Sequence, residues 1–319
     1  MFLWPILLFA ACSTQQYDVR RGNEPMDSAS MVARLHDIGL PLLVAAAEWC
    51  PFDQESTYGF LLKDEDISRI EGRERAGQRA VVAYVHSRLP AASTGLAPGD
   101  VLMRVNERDV IDLRAEEIMQ LLRRLTDARI QPLQLEITRP RDRHTFYMWA
   151  APACRFSVHL IASQQVNGIA DGRRVGVTTG AMRFLHSDSE LAWVLAHEIG
   201  HNVLNHSQND QLGAMLNAFL GATVGTSATV PPSVPRRSLE AQADYIGAYI
   251  MARAGYDVYA IKQFWRRIEN LRSGGKQPEL DVNHPTTAER LAALEMTLTE
   301  IQEKRNRGDS LHPVLEKTQ

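Results

Sequence analysis

One segment constrains this chain more than any other: ELAWVLAHEIGHNVLNH, residues 190–206. Leucine, valine, isoleucine and alanine dominate it, as in a helix packed inside a protein. Burying an unpaired charge costs several kcal/mol even after the surroundings relax. Yet His197, Glu198 and His201 lie within the run. Side chains at i and i+4 stand one above the other on a helix, so both imidazoles point the same way, with Glu198 on the adjacent edge. That is the separation two ligands of one metal ion need. The plainer alternative, a structural histidine pair, stays open for so short a motif.

A catalytic zinc takes a third protein ligand and keeps one position open. The extended motif with a third histidine requires Gly at 204 and His at 207; here they are Leu204 and Ser207, which excludes that class. His206 is one residue out of register and is expected only to decorate the helix end. The remaining source is a later helix. SLEAQADYIGAY, residues 238–249, offers Glu240 and Asp244 at i and i+4, with Ala243 and Gly247 small enough for close helix contact. Two acids on a helix are ordinarily a solvated face. Paired with the histidines, Glu240 becomes a zinc ligand, and Asp244 an acceptor for the second N–H of His197, fixing its tautomer.

The H-E-x-x-H pattern is that of zinc metalloproteases. Together SELAWVLAHEIGH (189–201), EAQADYIG (240–247) and HPTTAER (284–290) resemble the HtpX-type family of zinc metallopeptidases, which includes the CAAX prenyl proteases and periplasmic quality-control lipoproteins. VNGIADG (166–172) matches the family's substrate-strand segment, with Gly168 where alanine is common; Gln242 replaces a frequent acid. The resemblance covers roughly residues 150–300. It implies a zincin-like domain of helices plus a small antiparallel sheet, holding one Zn2+ per chain on His197, His201 and Glu240. Glu198 is then the general base, Asn167 holds substrate backbone, and His284 stabilises the oxyanion or gates the metal. Arg290 braces the corner by pairing with a carboxylate.

Upstream, VVAYVHSRLPAASTGLAPGDVLMRVNERDV (81–110) reads as a β-branched strand, turn residues at Gly95, Pro98 and Gly99, and a second strand ending at Asn106. A helix over 114–125 and an alternating strand, PLQLEITR, follow. Residues 53–79 are polar and show no assignable period. The segment 57–149 resembles a PDZ domain through its GLxxGDxIxxVN core, with Glu107 in place of the usual glycine and YGFL (58–61) as a candidate carboxylate loop. Such domains take C-termini or extended strands at an open sheet edge.

Residues 28–48 predict a helix with Met31, Leu35, Ile38 and Leu42 on one face and a kink or break at Pro41. As the leading helix of the protease fold, it makes the PDZ domain an insertion. The expected fold class is α+β, divided into a signal segment (1–12), the leading helix (13–52), a β-rich PDZ domain (53–150) and the metalloprotease domain (151–319). RFSVHLIAS (155–163) and the segment after NGIADG predict strands; helices are expected at 238–254, 257–272 and from Thr286 to 306. Residues 221–237, rich in Gly, Thr, Ser and Pro, are expected to form a mobile lid.

MFLWPILLFAACSTQ reads as a lipoprotein leader: Ala10 and Ala11 precede Cys12, although the leader is short and carries no Lys or Arg. Lipid on Cys12 with Ser13 behind it predicts a bacterial periplasmic protein anchored to the outer membrane in preference to the inner. Cys50 and Cys154 are then left as a pair, and an oxidising compartment predicts a disulfide between them, at the two edges of the insertion. No stretch reaches the ~18–20 apolar residues of a membrane span, which disfavours an intramembrane CAAX-type protease. With 35 Lys and Arg against 38 Asp and Glu, no basic excess points to nucleic acid. The expected partners are protein or peptide substrates, and the expected activity is cleavage of exported or misfolded envelope proteins. The rival reading is a PDZ-bearing assembly factor or holdase with an idle zinc site; an intact Glu198 argues against it.

Overall fold

A computed structural model of the chain describes residues 27–51, 53–70, 73–128, 132–205, 236–275 and 288–313. Expectations placed on Cys12, His206, His284 and the loop at 221–235 lie outside the described residues.

Helix α1 (Ser28–Ala45) starts at Asp27, whose carboxylate accepts from the Ser30 N–H at 2.7 Å. Met31, Leu35, Ile38 and Leu42 are buried along one face, as their spacing predicts. The helix does not break at Pro41 but runs through it to Ala45. Proline has no N–H to offer the carbonyl four residues back, and that carbonyl, on Asp37, instead faces Nε2 of His86 at 2.7 Å. A donor from outside the helix offsets the loss that would otherwise favour a kink.

The chain then forms β1 (Gln54–Thr57), β2 (Phe60–Ile70), β3 (Arg73–Val85), β4 (Val101–Val105), β5 (Arg108–Asp109), helix α2 (Ala115–Ala128), β6 (Leu133–Thr138), β7 (Arg143–Met148) and β8 (Ala151–Cys154). Five strands make one sheet in the order β2-β3-β4-β6-β7, with β5 paired to β4. Phe60, Val82, Leu102, Ile118, Leu122, Leu135 and Ile137 form its core. The β2–β3 hairpin occupies most of the stretch without a legible period. Its buried side chains cluster at the base, at Phe60, Ala80, Val81 and Val82, while Lys63, Asp64, Glu65 and Asp66 are exposed. A solvated hairpin arm leaves no alternation of apolar and polar residues to read.

Entry to and exit from this domain lie side by side. Strands β1 and β8 pair antiparallel, with Gln54 opposite Cys154, and Cys50 is joined to Cys154 with Cα atoms 5.8 Å apart. A second contact ties the end of β3 to the helical domain. Tyr84 donates its hydroxyl to the Asp37 carboxylate. Arg88 donates to the Ala254 carbonyl at 3.0 Å and stacks over Tyr256, 4.5 Å from its ring centre.

The remaining strands, β9 (Ser157–Ile161), β10 (Gly168–Ala170) and β11 (Arg174–Thr178), form a sheet in the order β10-β11-β9. The expected small antiparallel sheet is in fact mixed: β10 and β11 are antiparallel, but β11 runs parallel to β9, with Val175 opposite Val158. The chain leaves β9, passes beyond the position of β11, and returns as a hairpin whose second arm fills the middle. This leaves β10 as an edge strand. A short helix, α3 (Thr179–Phe184), had no sequence signal beyond its cap, Thr178.

Among the described residues, four longer helices complete the domain: α4 (Asp188–Asn205), α5 (Arg236–Arg253), α6 (Ala260–Ser273) and α7 (Ala288–Arg307). Ser187 and Glu190, spaced as a capping box at the start of α4, realise half of it. Ser187 Oγ accepts from the Glu190 N–H at 3.2 Å, but the Glu190 carboxylate accepts from His186 N at 2.7 Å and pairs with Arg267. One continuous core joins α1, α4, α5, α6, α7 and the face of β9 and β11, through residues such as Leu35, Leu195, Ile199, Ile246, Phe264, Leu298 and Val177. No described helix is long and apolar enough to cross a membrane.

Candidate metal centre

Helices α4 and α5 approach closely because neither carries bulk at the crossing. A β-carbon on Gly200 would lie 2.8 Å from the Ala243 carbonyl oxygen, and one on Gly247 would lie 3.0 Å from the His197 nitrogen. The same crossing puts Glu240 opposite the two histidines. Nε2 of His197 and Nε2 of His201 are 3.1 Å apart. Glu240 Oε2 lies 3.4 Å from the first, and Oε1 lies 3.3 Å from the second. Ligands at about 2.0–2.1 Å from a tetrahedral zinc are separated by about 3.3 Å, and one ligand atom from each of these three residues lies within 4.8 Å of the others, so the set could hold such an ion.

The surroundings fit it as well. Nδ1 of His197 lies 2.9 Å from Asp244 Oδ1, a contact that keeps the ring proton on Nδ1 and turns the Nε2 lone pair inward. Arg290 lies over both acids of α5: Nη2 donates to Asp244 Oδ1 at 2.8 Å, Nε donates to Oδ2, and Nη1 is 3.0 Å from Glu240 Oε2. Its guanidinium also stacks on Trp265, 5.1 Å from the ring centre. Formally, Glu198, Glu240 and Asp244 bring three negative charges into a buried volume where Arg290 brings one positive charge. The deficit is what a divalent cation supplies.

Proton affinities follow from these contacts in the metal-free chain. Burial opposes charge on His197, but the hydrogen bonds to Asp244 and Glu240 outweigh it and push the group up to about 9. For His201 burial wins, and its pKa is lowered. Burial alone would raise Asp244; the charge and hydrogen bonds of Arg290 hold it below the usual carboxylate range.

Glu198 is buried at the junction of α4 and the edge strand β10. A β-carbon on Gly168 would come within 2.7 Å of Glu198 Oε1 and 3.0 Å of Val194 Cγ1. Glycine therefore stands here because the carboxylate packs against the strand. Asn167, next in the chain, is held by two main-chain bonds: its N–H donates to Thr178 Oγ1 and its carbonyl accepts from Thr178 N, each at 3.1 Å. Its buried Oδ1 has no hydrogen-bond partner among the described residues.

The structure thus brings together His197, His201, Glu198, Glu240, Asp244 and Arg290 from three helices, with Asn167 on the bordering strand. Sequence reasoning missed Asn202. It is fully buried on α4, accepts from the Gly172 N–H at 2.6 Å and donates to the Arg174 carbonyl at 3.1 Å, pinning the β10–β11 turn to the helix that carries both histidines. The available signal was a polar residue inside an otherwise apolar run. Also missed were Val194, Phe264 and Trp265, which read as ordinary core.

The segments that carry this arrangement are similar to known proteins. Residues 148–298 match the family model described as Peptidase family M48, and residues 51–138 match the PDZ domain model. The chain is 29% identical over 172 residues to mitochondrial metalloendopeptidase OMA1 of Schizosaccharomyces pombe, spanning 50% of this chain and 51% of that protein. It is 27% identical over 184 residues to the beta-barrel assembly-enhancing protease of Escherichia coli, spanning 50% of this chain and 36% of that protein. The chain therefore spans about half or less of the length of these relatives. Among solved structures, the HtrA3 PDZ domain bound to a phage-derived ligand matches 31% of this chain and 88% of its own at 20% identity and a TM-score of 0.25. The region that holds the converging histidines and acid is thus similar to peptidase family M48, and a PDZ domain precedes it in the chain.

Proposed function

We propose that this chain is a zinc-dependent metalloendopeptidase that cleaves peptide bonds in exported or misfolded envelope proteins, with the PDZ domain tethering substrate or regulating access. The observation that carries the reading is the convergence of His197, His201 and Glu240, each ligand atom within 4.8 Å of the others, beside a buried Glu198. Zinc bound there would lower the pKa of its water to about 7 and polarise the scissile carbonyl. Glu198 takes the proton from the attacking water and later delivers it to the leaving amine. Substrate adds as a strand to the free edge of β10, and the Asn167 Oδ1 accepts from a substrate N–H. Arg290 and Asp244 hold Glu240 and His197 in orientation. His284, from the late His-Pro motif, stabilises the oxyanion or gates the metal.

The PDZ groove on this reading lies between the edge strand β2 and α2. There Gly59 adopts φ +81° in the Tyr58–Gly59–Phe60 loop, and Asp64 accepts from the Ala115 N–H at 2.8 Å. Strand addition at that edge would capture C-termini or extended segments. Within the wider family we assign the chain to the HtpX-type, periplasmic lipoprotein branch, anchored by lipid on Cys12 to the outer membrane, with Cys50–Cys154 kept oxidised in that compartment.

The deciding experiment compares zinc-loaded wild type and Glu198→Gln on unfolded casein, with metal content measured in both. Turnover by wild type that is abolished in Glu198→Gln and by chelation is expected. Equal turnover in the two proteins removes the peptidase reading. Peptide binding without turnover in either would favour an assembly factor or holdase with an idle site.

A further inference from the structure

On the reading above, a substrate strand lying along β10 must pass over Val194 and Glu198, the two α4 residues that meet Gly168. Beside them is a hollow of about 10 Å³, walled by His197 and Glu198 on the metal side and by Trp193, Val194, Phe264, Trp265 and Arg290 around the rest. The residues under the strand are thus also the residues that open into the hollow. Its size is about that of one water molecule or one methyl group.

The walls decide what can enter. Val194, Phe264 and the indole faces are apolar, and the charged groups are engaged elsewhere: Arg290 with Asp244 and Glu240, Glu198 with the reaction. A charged or amide side chain entering here would lose its water and find no replacement partner. A hydroxyl is tolerated, because the buried indole N–H of Trp265 has no acceptor among the described residues. The walls are also braced. Phe264 packs edge-on against Trp265 at 5.1 Å and against Phe184 at 6.4 Å, and Arg290 stacks over the Trp265 ring. A large side chain cannot displace this set without breaking aromatic contacts in the core.

We propose that the hollow receives the side chain of one residue flanking the scissile bond and restricts it to small, uncharged residues, alanine and serine, with Val194 and Phe264 setting the size limit. This deepens the peptidase reading and rests on it.

The test uses the full chain loaded with zinc and fluorogenic peptides that differ only at that residue: Ala, Ser, Leu, Phe and Lys. Alanine and serine should give the highest kcat/KM, with leucine, phenylalanine and lysine at least about tenfold lower, since one misfitting methylene alone is worth about 10–200-fold. Phe264→Ala should move the optimum to leucine, with zinc content unchanged; Val194→Ala serves if Phe264→Ala fails to fold. Wild type preferring leucine or phenylalanine, or a profile unmoved in a folded variant, overturns the proposal. If no peptide is cleaved, dipeptide hydroxamates carrying an alanine or a phenylalanine side chain are titrated onto the zinc-loaded protein. Tighter binding of the alanine compound then keeps the subsite and removes only the peptidase reading; equal or reversed binding removes the subsite.

Discussion

Nε2 of His86, at the end of a PDZ strand, lies 2.7 Å from the main-chain oxygen of Asp37, the carbonyl that Pro41 leaves without its helical donor. The Arg88 N–H donates to His86 Nδ1 at 3.0 Å, so the ring proton sits on Nε2 and points at the helix. A proline inside α1 has become the docking point for a second domain. His86→Ala should cost about 1–3 kcal/mol, because it leaves a buried carbonyl without a partner. Pro41→Ala returns the helical N–H and should recover at least half of that loss in the double variant. Denaturant midpoints of the four proteins in the cycle measure the coupling; strictly additive losses would contradict it.

The disulfide closes a loop of 104 positions around the whole PDZ domain. The chain-entropy model assigns such a loop about 4–5 kcal/mol, as an upper figure. Reduction, or Cys50→Ser, should therefore lower the denaturation midpoint while leaving zinc stoichiometry unchanged. The β1–β8 ladder and the His86 contact still hold the neck, so the spread of spin-label distances between the domains should widen most when Cys50→Ser is combined with His86→Ala.

Arg290 serves two buried acids at once, Asp244 through a fork and Glu240 through Nη1. Arg290→Met takes the guanidinium away from both carboxylates, and removing one partner of a buried pair costs about 3–5 kcal/mol. Zinc affinity should fall about 10–100-fold through the loss of orientation. Arg290→Lys restores charge without the planar fork and should recover stability better than affinity. Chelator competition and thermal melts separate the two effects.

Gly168 leaves no room for a β-carbon beside Glu198. Gly168→Val should swing the carboxylate away from the strand and reduce kcat/KM by about 10²-fold, the usual penalty for a misplacement near 1 Å. Zinc content and melting temperature should change little. Full activity in this variant would show that the carboxylate is not held where the strand runs.

The Asp171 carboxyl is held down to about 2 by hydrogen bonds from the Arg174 side chain and from the Arg174 and Arg173 main-chain N–H groups. Its folded value is depressed, so the support it gives the β10–β11 turn is complete above the ordinary value of 3.8 and is lost as pH falls through about 2. A carboxyl-carbon NMR titration should give a midpoint well below that of a free aspartate. Asp171→Asn should make the turn indifferent to acid.

Spacing within single helices is legible in the amino-acid order. His197, Glu198 and His201 follow from the helical period, as do Glu240 and Asp244, and the same period marks the buried face of α1. The PDZ strands with β-branched or alternating residues are equally readable. The β2–β3 hairpin is not, because most of its charged arm is solvated and carries no contrast between faces. Pro41 reads as a kink or break because the donor that replaces its missing N–H lies 45 residues away, at His86.

By itself, the amino-acid order determined which side chains share a face of each helix, because one backbone geometry repeats every turn. It could not determine which faces meet. That the Gly200 and Gly247 gaps let α4 and α5 close until Glu240 reaches two imidazoles, that Arg290 spans both acids, that β10 is left as an edge over Glu198, and that a small hollow remains beside it were all decided by tertiary packing. Packing is set by the summed volumes of residues far apart in the chain, and no local pattern carries that sum.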